Sequence, residues 1–144
     1  MDEPLPTWPP NPERLELEEL TSIQPGLARL MPEIGARMWK CFYAVQAKNW
    51  PMAEWQLSEM AKLLRLCTVT RPKYGTDLRA FIQEDIEPMR NALQARDTLR
   101  FRAAFFDAID AANDYHRRWK KPWIVWKLPS MPPPDLDLTA HAED

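Results

Sequence analysis

The chain has 144 residues, 45% of them hydrophobic and 28% charged, with a formal net charge of −2. That composition suits one globular domain with a real core. It lacks the basic field that nucleic acid or an anionic membrane surface would require. No apolar run approaches a membrane span, and 3 glycines are too few for the tight turns of a hairpin-rich β fold.

Of the 15 prolines, most fall at 4–12 and 122–134, which predicts non-helical arms around a helical middle. Residues 1–22 form the first arm; within residues 1–20 six acidic side chains face one arginine, and Trp8 sits among prolines. No charged start followed by an apolar stretch marks a secretory signal, so a cytoplasmic location is expected.

The helical domain is predicted over 23–120. Leu27, Met31, Ile34, Met38, Cys41 or Phe42, and Val45 recur at steps of four and three, one stripe on a helix face. Pro32 is expected to kink its start or split off a short helix. Asn49 caps a second helix with Pro51 in its first turn and a stripe of Ala53, Leu57, Met60, Leu64 and Cys67. Thr76 or Asp77 opens a third, with Leu78, Ile82, Ile86, Met89 and Leu93 inside and a kink at Pro88. Asp97 caps a fourth, striped by Phe101, Phe105, Ala108 or Ile109, Ala112 and His116. The cysteines Cys41 and Cys67 fall on these stripes and read as two buried thiols, not a disulfide framework.

An internal echo groups the helices: "AVQAKN" at 44–49 resembles "ALQARD" at 92–97, an offset of 48 residues. Two helix–turn–helix units with unsatisfied apolar faces would bury them against each other. The predicted fold is all-α, an antiparallel up-down-up-down four-helix bundle with Pro-rich extended arms at both ends. Residues 121–144 are the second arm, expected to lie along the bundle and cover apolar surface with Trp123, Ile124 and Trp126.

The stretch "AANDYHRRWKKPW" at 111–123 carries the one histidine on a core stripe. With cysteines at Ala112 and Tyr115 it would read C-x-x-C-H, the attachment site of a c-type haem. In an antiparallel bundle His116 sits level with the start of the first helix, opposite Leu27, Leu30, Met31 and Ile34, with Met38 about two turns beyond.

The four-helix pattern over residues 26–120, with A-N-D-Y-H near the end of the last helix, resembles the class II c-type cytochromes, the cytochrome c prime group. Carried over to this chain, the resemblance makes His116 a haem ligand, with Met31 or Met38 as the second, but the missing cysteines leave no covalent attachment. Arg117, Arg118 and Lys121 (with Lys120) would meet the propionates. The same cations equally suit a helix C-terminus, where His116 could also act as a cap-like residue.

The reading that follows is a non-enzymatic binding or interaction protein without cofactor, with an interhelical pocket at His116, Tyr115, Ala112, Met31, Met38 and Trp119. It would take a small hydrophobic ligand or a protein partner. A homodimer through exposed aromatics such as Trp39 or Trp55 is also expected. Non-covalent haem b, for electron transfer or gas sensing, is the first alternative. An enzyme using His116 as general base with Tyr115 is the second. No Gly-rich phosphate loop, H-E-x-x-H or E-x-x-H occurs, so no other metal site is expected. Glu84, Asp85 and Glu87 read as a solvated face.

Overall fold

The structure, a computed structural model, describes residues 15–142. Helix accounts for 72% of these residues and no strand occurs among them, so the chain is all-α. No helix among them is long and apolar enough to cross a membrane. The elements run α1 (Leu17–Ile23), α2 (Leu27–Gln46), α3 (Trp50–Thr70), a 3-10 turn (Pro72–Tyr74), α4 (Gly75–Phe81), a π segment (Ile82–Ile86), α5 (Glu87–Gln94) and α6 (Thr98–Arg118). With α4 to α5 forming one continuous stretch, four main helical stretches surround one core.

Every stripe read from the sequence turns inward. Ile34, Met38, Cys41, Phe42 and Val45 of α2 are buried against Ala53, Leu57, Met60, Leu64 and Cys67 of α3. Leu78, Ile86, Met89 and Leu93 meet Phe101, Phe105, Ala108 and Ala112 of α6 in the same cluster. Both cysteines are free and buried; the Cys41 thiol donates to the Ala53 carbonyl at 3.3 Å, and burial raises the pKa of each.

The internal echo is a repeated turn. Lys48 and Arg96, one offset apart, both adopt positive φ, at 57° and 51°. The N–H groups of Ala47, Lys48 and Asn49 bond the carbonyls of Tyr43, Val45 and Ala44; those of Ala95, Arg96 and Asp97 bond Asn91, Leu93 and Ala92. This is a Schellman-type ending. The next helix is then capped at once, by Asn49 accepting from Met52 N at 3.1 Å and by Asp97 from Arg100 N at 3.0 Å. The same ending closes α6 at Lys120, φ 61°, just before Pro122.

Two local expectations need correction, and a third, at Pro88, takes a specific form. Residues 17–22, placed in an extended arm, belong to α1: no proline occurs between Pro12 and Pro25, and Glu18 and Glu19 suit its first turn, while residues 1–14 of that arm lie outside the described residues. Pro32 neither splits nor ends α2. The N–H it lacks would have reached the carbonyl of Ala28, which is exposed and open to solvent. Pro88 acts through the π segment directly before α5, where one wider turn absorbs the missing N–H.

The C-terminal segment lies on the helices through named bonds. Tyr43 donates to the Pro129 carbonyl, Lys40 pairs with Asp135 at 2.8 Å, and Asn49 Nδ2 donates to the Leu138 carbonyl at 2.8 Å. Leu138 is buried. Trp123 departs from its expected covering role, being 75% exposed, while Ile124 and Trp126 are half-buried.

Candidate functional site

α6 delivers His116 to the place where its C-terminus, the start of α2 and the returning segment converge. The imidazole is buried, at 5% exposure. Its Nδ1 lies 3.0 Å from the Ile124 carbonyl. A carbonyl only accepts, so Nδ1 carries the proton and Nε2 is left as an acceptor. Burial lowers the pKa of the ring, and the Ile124 bond opposes that in part. The Trp126 ring packs edge-on against the imidazole with centroids 5.6 Å apart.

Around it, Trp119 Nε1 donates to Asp77 Oδ2 at 2.8 Å, and the Trp119 ring lies tilted against Tyr74 at 4.6 Å and Tyr115 at 5.7 Å between centroids. Arg118 lies 4.2 Å over the Tyr115 ring, and burial raises the tyrosine's pKa. No hydrogen bond joins Tyr115 to His116 among the described residues, so the pair forms no ready acid–base couple.

Two cavities meet His116. The inner one, about 20 Å³, is lined by Met31, Ala112, Tyr115, His116 and Trp119 together with Asp77, Leu78, Phe81 and Trp126. The structure thus brings together five of the six residues singled out from the sequence. Met38 is not among them; it lies buried in the core, further along α2. A space of that size holds about one water, whereas bound ligands of drug size occupy roughly 300 Å³ or more. The inner space is far smaller than a porphyrin, and Met31 and His116 share its lining.

The outer cavity is a groove of about 400 Å³ at the mouth. Leu27, Ala28, Met31 and Pro32 of α2 form one wall, with Tyr74, Trp119, Ile124 and Trp126 opposite and His116 at its base. Arg71 and Lys121 also line it, and among the described residues no carboxylate does. Arg71 is held in place by the carbonyls of Thr70 at 2.7 Å and Gln24 at 2.8 Å. Its guanidinium occupies the space a side chain at Gly26 would need, the closest atom being 2.5 Å from the position of a Cβ there. Lys121 makes no ion pair among the described residues. Arg117 and Arg118 instead turn to Asp114, at 3.3 and 3.2 Å, and do not line the groove.

Sequence reasoning missed Arg71, Tyr74 and Asp77, because nothing in the spacing of the third helix tells which residues return to the end of the fourth. Asp85, expected on a solvated face, is half-buried. Burial, with Glu84 and Asp107 nearby, pushes this carboxyl up to about 6, so it is not a simple solvated charge. No cluster among the described residues has the donor set for a metal ion. Of the aromatics expected at a dimer seam, Trp39 is half-buried edge-on to Tyr43, and Trp55 is exposed under the Arg37 guanidinium at 4.8 Å. In comparisons with known proteins, no family model, curated protein or solved structure matches the chain.

Proposed function

We propose that the chain is a non-enzymatic binding protein whose groove at the His116 end takes an apolar ligand bearing an anionic group. The helices are read as an up-down-up-down bundle, related in architecture to the cytochrome c prime group but without haem. The three-residue turns at 47–49 and 95–97 support that connectivity, since links so short leave antiparallel neighbours. The observation that carries the ligand class is the composition of the groove: a 400 Å³ space with apolar and aromatic walls, two cations and, among the described residues, no carboxylate.

The test is a fluorescence titration with 8-anilinonaphthalene-1-sulfonate, an apolar aromatic anion, followed by displacement with dodecanoate. Saturable binding is expected, weakened several-fold by Lys121→Glu and by Met31→Trp, which would fill the groove. Unaltered binding in both variants would overturn the reading. A parallel titration with hemin should give the same spectrum for wild type and His116→Ala; sharp reduced bands lost only in the variant would restore the haem reading.

A further inference from the structure

Residues 124–128, after α6, run extended without forming a sheet, with one edge in use and the other without a partner among the described residues. Asn113 reaches both the N–H and the carbonyl of Trp126, and His116 reaches the carbonyl of Ile124. One side-chain amide can meet both polar groups of a residue only where they point the same way, as in β geometry. Two residues back, the next carbonyl again points to α6, which is the period of a strand. Exposure alternates to match: 123, 125 and 127 are exposed, while 124, 126 and 128 are half-buried. The main-chain groups of Val125 and Lys127 therefore point away from α6, and among the described residues they have no hydrogen-bond partner.

That free edge borders a second groove. Val125, Lys127 and Pro129 form one side of a space of about 330 Å³, and Pro32, Ala36 and Trp39 of α2 form the other. Met31, Pro32 and Trp126 line this groove and the mouth groove alike, so the two run on from one another. Along both, the charged lining residues are Arg71, Lys121 and Lys127, with no carboxylate among the described residues. A second copy of this edge would set these cations against their own kind, which disfavours self-pairing.

We propose that an extended peptide segment of a partner protein, acidic and apolar in alternation, docks along α2 and pairs its main chain with Val125 and Lys127. This is strand addition to an exposed edge. It rests on the reading of the groove as a binding site. Alternate side chains of the peptide enter the apolar groove, and its carboxylates meet Lys127 and Lys121.

The experiment is an anisotropy titration of the full chain with a short fluorescein-labelled peptide of alternating Glu and Val. Two controls are its Lys/Val counterpart and a version N-methylated at alternate amides. The Glu/Val peptide is expected to bind, the Lys/Val peptide not to bind, and N-methylation to weaken binding about tenfold, the effect of one or two net hydrogen bonds. Val125→Pro removes an N–H that makes no bond among the described residues and should cause a similar loss with an unchanged melting temperature. Equal binding of the N-methylated peptide overturns the strand pairing even if the proline variant fails to fold. Dodecanoate binding without any peptide binding overturns the inference and leaves the proposed function standing; binding of neither removes both.

Discussion

Asn113 holds both main-chain polar groups of Trp126: its Oδ1 accepts the Trp126 N–H at 2.7 Å and its Nδ2 donates to the Trp126 carbonyl at 3.0 Å. One side chain on α6 thereby does for the returning segment what a neighbouring strand would do. It sets Trp126 beside His116 and between both grooves. Asn113→Leu should leave these two groups unpaired and cost about 2 kcal/mol. Urea denaturation measures the loss, and amide exchange at Trp126 should quicken well beyond that of α6. Unchanged exchange would show that the segment is held by other contacts.

Gly35 explains itself through the same tryptophan. A Cβ there would lie 3.2 Å from Trp126 Cζ2, so a larger side chain must lift the ring from α2. Gly35→Leu is expected to destabilise by about 2 kcal/mol despite the better helix propensity of leucine. Helicity by circular dichroism should stay near wild type, while the indole resonance of Trp126 shifts. An unshifted resonance would mean that the ring tolerates the extra volume where it lies.

His116 and Asp85 give opposite pH dependences. The histidine's folded pKa lies below the ordinary 6.5. The unfolded chain therefore binds the proton more readily, and stability is lost as pH falls from about 6.5 through the folded value. The carboxyl of Asp85 is raised to about 6 from 3.8. There the folded chain binds the proton more readily, and stability is gained as pH falls through about 6 toward 4. In urea melts between pH 7.5 and 4.5, His116→Asn should remove the first slope, and Asp85→Asn should remove the second.

Asp85→Asn should also stabilise the protein at pH 7.5. The gain is about 1 kcal/mol, well below what the full displacement of the pKa implies, because solvent screens the half-exposed carboxylate. A lower melting temperature in this variant would show that the carboxylate makes a favourable contact in its charged form.

The repeated turns carry a symmetric prediction with one asymmetry. Lys48→Gly and Arg96→Gly each relieve a positive φ and should add about 1 kcal/mol. Arg96 also lies 5.3 Å over the Trp50 ring, a contact that glycine removes. Thermal melts should therefore show a larger gain at Lys48 than at Arg96; the reverse order would discount the ring contact.

Local patterns in the sequence were enough to read the four main helical stretches, though not α1, together with their buried stripes, the caps at Asn49 and Asp97 and the repeated turn. Periodicity, capping and turn chemistry are set by neighbours a few residues apart, so they are written into short stretches. That His116 faces inward follows in the same way from its place on a stripe with Ala112 and Ile109. The proline effects were legible in kind but not in form, because a helix absorbs a missing N–H through solvent at Pro32 and through a wider turn at Pro88.

What stands around His116 was decided by tertiary structure alone. Ile124 fixes its tautomer from eight residues away, Asp77 anchors Trp119 across 42 residues, and Arg71 borders the groove from the far end of α3. None of these pairings leaves a local signal, since each depends on how helix ends meet once the core has closed. The inner space at His116 measures only about 20 Å³ where the aromatic rings converge. Sequence by itself determined which residues turn inward, and tertiary packing decided how much room they leave.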